Sequence, residues 1–182
     1  MMTHSFTIRS QYINNGFQAV QAQPEDTEEV RSLLVETASW LKSQGSSQWN
    51  ALLQGQDSHD TPSAIRRGDV FVFKKEAEIA GMVILMQKPS PWDHKLWGDK
   101  AHAEDGALYL HRLAIRRKYA RTGLGQSILE WSSSGIQFEK KSLVRLDCGA
   151  DNVTLNAFYA RNGFSYAGGQ DGFSIYEKSI EL

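Results

Sequence analysis

A single cysteine, Cys148, is all the thiol chemistry the 182 residues hold. No intramolecular disulfide can form, so stability must come from packing, and a stapled secreted scaffold is excluded. Long apolar runs are also missing. The longest, Ala80 to Met86, falls far short of the roughly 18–20 residues that span a bilayer. The first nine residues, Met1 to Arg9, lack the apolar stretch of a secretory signal. Charge of one sign is not in excess either: 20 Lys+Arg face 21 Asp+Glu, a net charge of −1. A dedicated nucleic-acid binder needs a large basic surplus to displace counterions, and none is present. No His/Cys spacing of the metal-binding kind occurs, and the sequence shows neither an internal repeat nor a low-complexity tract. These absences lead us to expect a cytoplasmic protein without metal, whose partners include neither membrane nor nucleic acid.

What is present is the balance of a globular protein, 41% hydrophobic and 23% charged residues. The length suits one domain, expected over 17–182 after an amino-terminal extension at 1–16 that ends in the turn Asn14-Asn15-Gly16. A short strand is predicted over Phe17 to Ala22, and Pro24-Glu25-Asp26 then supplies the proline and carboxylates that favour a helix start. Val30, Leu33, Leu34, Ala38 and Leu41 recur at helical spacing up to Lys42, before Gly45. Residues 43–66 read as a loop region holding one short helix. The runs Asp69 to Phe73 and Glu78 to Met86 read as an antiparallel hairpin, the second strand the more buried. Residues 87–106 read as a long loop, a candidate lid or substrate wall. From there the order is strand (Ala107 to Ile115), basic turn, helix (Gly123 to Phe138), strand (Leu143 to Cys148), helix (Val153 to Arg161), and strands at Phe164 to Gly168 and Phe173 to Glu177. The fold class is mixed α/β.

Chemistry concentrates where the strand ending at Ile115 meets the turn Arg116-Arg-Lys-Tyr-Ala-Arg-Thr-Gly-Leu-Gly-Gln126 and the helix it opens. A helix amino terminus presents unpaired N–H groups and the positive end of its dipole, and glycines let a phosphate approach the backbone. The segment is not a P-loop, since no Gly-Lys-Ser/Thr follows. Nor is it a dinucleotide fingerprint, for the third glycine is absent. A second block follows, Asp147-Cys-Gly-Ala-Asp-Asn152 and then Val-Thr-Leu-Asn156-Ala-Phe158-Tyr159-Ala-Arg-Asn-Gly163-Phe164.

Together the two blocks resemble the two sequence motifs of the GNAT N-acetyltransferase superfamily. That family pairs an Arg/Gln-x-x-Gly-x-Gly/Ala turn with a later Asn-x-x-Ala-x-x-Phe/Leu-Tyr-x-x-x-Gly-Phe unit. Asn152, Phe158, Tyr159, Gly163 and Phe164 fall in register, and the resemblance is close over about 107–168 and looser from Gln18. Ala120 stands where the family has Arg or Gln, with Arg121 one place later, and Leu155 replaces an Ala. The resemblance implies a mostly antiparallel central sheet with one splayed parallel strand pair, flanked by helices. It implies acetyl-coenzyme A as cosubstrate, its pantetheine paired with the backbone of Leu113, Ala114 and Ile115. The pyrophosphate would then meet the N–H groups of Arg121, Thr122, Gly123, Leu124, Gly125 and Gln126, with Asn152 and Asn156 as further coenzyme contacts. Arg116, Arg117, Lys118 and Arg121 are candidates for the remaining phosphate, or a solvated loop.

Moving an acetyl group from a thioester to an amine requires a neutral amine and a proton for the departing thiolate. Tyr159 matches the family's general acid, and a phenol of ordinary pKa about 10 keeps its proton at neutral pH. An alkylammonium of pKa about 10.4 must lose a proton before it attacks. His111 is the candidate base, on the central strand with the parity of Tyr109, Leu113 and Ile115; Glu104 and Asp105 are alternatives. Trp40, Trp49, Trp92 and Trp97 are candidate walls of an acceptor pocket. The acceptor expected is a small-molecule primary amine attacked directly in a ternary complex. A protein amino terminus or lysine, or a non-catalytic coenzyme-binding module, are the alternatives, and a homodimer is compatible with the resemblance.

Overall fold

The computed structural model describes residues 6–180. In chain order its elements are β1 (Phe6–Ile8), β2 (Tyr12–Ile13), β3 (Phe17–Gln21), α1 (Thr27–Ser43), α2 (Asn50–Leu53), α3 (Thr61–Arg67), β4 (Val70–Lys75), β5 (Glu78–Met86), α4 (Pro91–Trp97), β6 (Ala107–Ile115), α5 (Leu124–Ser134), β7 (Ile136–Phe138), β8 (Leu143–Gly149), α6 (Val153–Arg161), β9 (Ser165–Gln170) and β10 (Phe173–Ser179). Short 3-10 turns cover Pro24–Asp26, Gly98–Lys100 and Arg117–Tyr119. The chain divides into two compact units. Residues 10–84 and 112–128 form the first; 6–9, 85–111 and 129–180 form the second.

In the first unit β2, β3, β4 and β5 make antiparallel ladders in that order, with Ile13 opposite Phe17, Val20 opposite Val72 and Val72 opposite Met82. β5 is buried along seven consecutive residues, the signature of a strand covered on both faces. Helix α1 buries Val30, Leu33, Leu34 and Ala38, the stripe its sequence shows. Gly81 fits because a Cβ there would lie 2.7 Å from Ile128 Cδ1 and 3.2 Å from the Ala114 carbonyl oxygen. The 43–66 region holds two helices rather than one. The missed helix, α3, starts at Asp60, whose side chain accepts from Ser63 N–H at 3.3 Å, and ends at Gly68 in the left-handed region.

In the second unit β6 and β8 run parallel, paired over Ala107–Tyr109 and Leu143–Arg145. β8 then pairs antiparallel with β10 from Leu143 to Gly149, and β10 with β9. β1 and β7 form a separate antiparallel pair. The ladders are thus antiparallel except for one parallel pair, as the resemblance implies. Two corrections belong to this unit. The helix expected to reach Phe138 stops at Ser134, and Ile136–Phe138 is strand β7. Gly135 makes the break, because a Cβ there would sit 2.1 Å from the Trp131 ring. The expected 87–106 loop contains α4, opened by a capping box in which Ser90 and Asp93 satisfy each other's backbone N–H groups. Leu96, Trp97, Ala101, Ala107, Tyr109 and Ile175 pack into one core cluster. Trp97 is 4% exposed there and packs in this cluster, with the Arg145 guanidinium 4.5 Å from its ring.

Candidate active site

The basic turn belongs to the first unit. Arg116 donates from Nε to Ile79 O at 2.7 Å and faces Glu29 at 3.4 Å and Glu36 at 3.6 Å. Lys118 lies 2.8 Å from Glu78, which also accepts from the Tyr119 hydroxyl. Two of the four cations expected for phosphate are therefore neutralised by the protein's own carboxylates. Arg117 and Arg121 differ. The Arg117 guanidinium stacks 3.7 Å from the Trp40 ring centre, so Trp40 supports the turn. Arg121 is exposed in a left-handed conformation, φ 64°. Neither guanidinium has a carboxylate partner among the described residues.

Gly123 follows at φ 83°, a conformation that glycine adopts without strain. The N–H groups of Arg121, Thr122 and Gly123 find no acceptor among the described residues, and those of Leu124 and Gly125 lie in the first turn of α5, ahead of its first intrahelical bond from Ser127 N–H to Gly123 O. Leu124 is buried and pins the helix start, and Asn14 Nδ2 holds the Thr122 carbonyl at 3.1 Å. A Cβ built on Gly125 would meet nothing within 4 Å. A bare backbone edge with free donors and two unneutralised arginines fits a pyrophosphate. Gln126 closes the first helical turn.

The second unit holds His111 and Tyr159, the groups expected from the sequence to handle protons. His111 is 8% exposed, and its Nε2 lies 3.1 Å from each carboxylate oxygen of Asp93. Asp93 also accepts from Ser90 N–H at 2.9 Å and Ser90 O–H at 2.8 Å. Burial opposes its charge, yet the bonds from His111 and Ser90 outweigh that and hold its carboxyl below the usual range. Asp147 behaves oppositely: burial pushes it up, against the pull of His111 and of the Trp92 indole N–H at 3.3 Å. Ligating atoms of Asp93, His111 and Asp147 all lie within 4.8 Å of one another. Residues so far apart in sequence leave no spacing signal, and only the fold gathers them. His111 does not share the alternation expected of it with Leu113 and Ile115. Arg112 has φ 57°, which interrupts the extended strand, so alternation does not carry from His111 to Leu113 and Ile115.

Tyr159 is 7% exposed, its ring against Phe158, Phe164 and Tyr176 at 5.5–6.0 Å between centres. Its hydroxyl has no hydrogen-bond partner among the described residues. Burial, with the nearby Cys148 and Asp147, raises its pKa well above the ordinary phenol value. Neighbouring amides are committed elsewhere. Asn152 Oδ1 caps α6 at Leu155 N–H, 3.0 Å, and Asn156 Nδ2 donates to Gly149 O and Asn152 O while its Oδ1 accepts from the Tyr176 hydroxyl at 2.7 Å. Asp105 is likewise consumed. It accepts from Tyr109 O–H, Ala107 N–H and His102 N–H and faces Arg145 at 3.5 Å, so it is a structural anchor and not a base. Glu104 is exposed. Of the remaining tryptophans, Trp92 joins Asp147 and Trp49 lies in the first unit, 5.4 Å from the Arg112 guanidinium.

A family model described as an acetyltransferase (GNAT) domain matches residues 66–166. An uncharacterized N-acetyltransferase, YesJ, of Bacillus subtilis is 47% identical over 177 residues, 97% of each chain. A crystal structure of a GNAT acetyltransferase from Listeria monocytogenes is 36% identical at a TM-score of 0.76, covering 90% of this chain and 95% of its own. The PaiA N-acetyltransferase of Thermoplasma acidophilum, solved in complex with coenzyme A, shares the fold at 17% identity and a TM-score of 0.65, over 90% of this chain and 99% of its own. With this likeness spanning nearly its whole length, the chain belongs to the GNAT family of N-acetyltransferases.

Proposed function

We propose that the protein transfers the acetyl group of acetyl-coenzyme A to a small primary amine by direct attack. The observation that carries this reading is the set of unspent donors and acceptors at the two candidate places. The coenzyme supplies an acetyl thioester, whose carbonyl carbon is open to a neutral amine. The bare N–H groups of Arg121 to Gly125 hold the pyrophosphate, and Arg117 and Arg121 supply countercharge. The backbone of Leu113 to Ile115 is the edge for the pantetheine.

In the second unit His111 accepts the ammonium proton, with Asp93 fixing the imidazole tautomer through Nε2 and stabilising the cation formed. Asp147 attracts the incoming ammonium. As the amine nitrogen bonds to the carbonyl carbon, the carbon–sulfur bond breaks; the free Tyr159 hydroxyl gives its proton to the leaving sulfur, and the second proton shed by the amine nitrogen returns to the phenolate by way of solvent as the amide forms. A covalent acetyl-enzyme is disfavoured by the state of the lone cysteine: Cys148 is 1% exposed, and burial lifts its thiol to about 11. The test is thiol release from acetyl-coenzyme A across a panel of primary amines, with intact-mass measurement of enzyme mixed with the donor alone. Turnover with an amine and no acetyl adduct is expected. An adduct on Cys148, or tight coenzyme binding without transfer to any amine, overturns the reading.

A further inference from the structure

Arg112 is a second unspent group, and the catalytic scheme does not use it. Its side chain is 9% exposed, so a permanently charged guanidinium sits almost wholly out of water. Such a group ordinarily gains several charge-assisted bonds. Here Nη2 only approaches Ser58 Oγ and Asp57 Oδ1, at 3.5 Å each. Buried Nη1 has no hydrogen-bond partner among the described residues. Asp57 cannot come closer without loss, because its oxygens already accept from Thr61 N–H at 2.8 Å and His59 N–H at 3.2 Å. The Trp49 ring covers the guanidinium at 5.4 Å, and the next residue, Asn50, carries a buried Oδ1 that also has no hydrogen-bond partner among the described residues. The backbone at Arg112 is left-handed, φ 57°, a conformation that costs a non-glycine residue energy. The left-handed residue therefore carries a buried cation that the described residues leave under-bonded.

We propose that Arg112 is the specificity determinant for an acceptor that carries a carboxylate as well as its amine, bound through Nη1 and Nη2. The planar fork matches the two carboxylate oxygens. Entry displaces the Trp49–Ser58 segment, which is held to the guanidinium by the two 3.5 Å approaches and the ring. The proposal rests on the acetyl-transfer reading for its acceptor but not for its anion chemistry.

Two measurements test it. Glycine, β-alanine and γ-aminobutyrate are assayed against methylamine, ethylamine and propylamine, the same chains without the carboxylate. The amino acids should show kcat/KM higher by about 10- to 100-fold, the weight of a charge-assisted bond pair. The difference should lie mainly in KM, be lost in Arg112→Gln and be partly kept in Arg112→Lys. Separately, the Arg112 side-chain resonance of the wild-type protein is followed by NMR while propionate or inorganic phosphate is added, a readout that needs no turnover and no variant fold. A saturable response to propionate is expected. Equal kcat/KM within each pair overturns the proposal, as does a resonance indifferent to propionate or responsive to phosphate alone. If no amine is acetylated at all, the transfer reading fails while the propionate titration still decides the carboxylate site.

Discussion

Replacing Tyr159 by Phe removes one oxygen from a site where its role can be read by sign. The ring keeps its contacts with Phe158, Phe164 and Tyr176, and the hydroxyl gives up no hydrogen bond to the described residues. Tyr159→Phe should therefore leave stability unchanged to within about 1 kcal/mol, which at this size is no more than about 2–4 °C in Tm. Tyr176→Phe is the control. It breaks the 2.7 Å bond to Asn156 and should cost about 1 kcal/mol. For activity the order reverses. Loss of a general acid lowers the rate about 10²- to 10⁴-fold, and single-turnover thiol release isolates the chemical step from product release. Since burial raises the Tyr159 pKa, this group contributes no fall in rate on the alkaline side up to about pH 10. A Tyr159→Phe enzyme with full single-turnover rate, or one that melts several degrees lower with unchanged rate, would refute the assignment and make Tyr159 a core residue.

Three further outcomes are expected. Asp93 has a depressed pKa when folded, so its stabilisation is present above the unfolded value of about 3.8 and is lost as pH falls through the folded one. Asp93→Asn should flatten the acid end of the stability profile in denaturation curves while lowering kcat about 10- to 100-fold through its effect on His111; an unchanged acid limb would contradict the linkage. Gly81→Ala places a Cβ 2.7 Å from Ile128 Cδ1 and 3.2 Å from Ala114 O, and the overpacking should cost about 1–3 kcal/mol by urea denaturation. Arg117→Ala with Arg121→Ala should weaken coenzyme binding by calorimetry and reduce its salt dependence, whereas Lys118→Ala, whose charge is spent on Glu78, should do neither.

The sequence was legible where local rules and the global fold agree. The α1 stripe, the β4–β5 hairpin and the strand–turn–helix at Arg116 to Gln126 each carry their own periodicity or glycine signal. Helix α4 was also written in the chain, as Ser90-Pro91-Trp92-Asp93, a capping box that the surrounding polar residues obscured. Helix α3 has a comparable start at Asp60-Thr61-Pro62. Other features had no local signal. The Asp93–His111–Asp147 grouping joins residues 54 positions apart at its extremes (93 to 147), and only strand pairing brings them together. The left-handed Arg112 sits in a run of strand-forming residues and gives no warning. The charge of the basic turn was visible, but its neutralisation by Glu29, Glu36 and Glu78 depends on elements far away in sequence.

One carboxylate closes the amino terminus of α4 and steadies the imidazole of His111. Formation of that helical turn and orientation of the imidazole therefore depend on the same side chain. Any change that loosens Ser90 from Asp93 would loosen the hold on the imidazole with it.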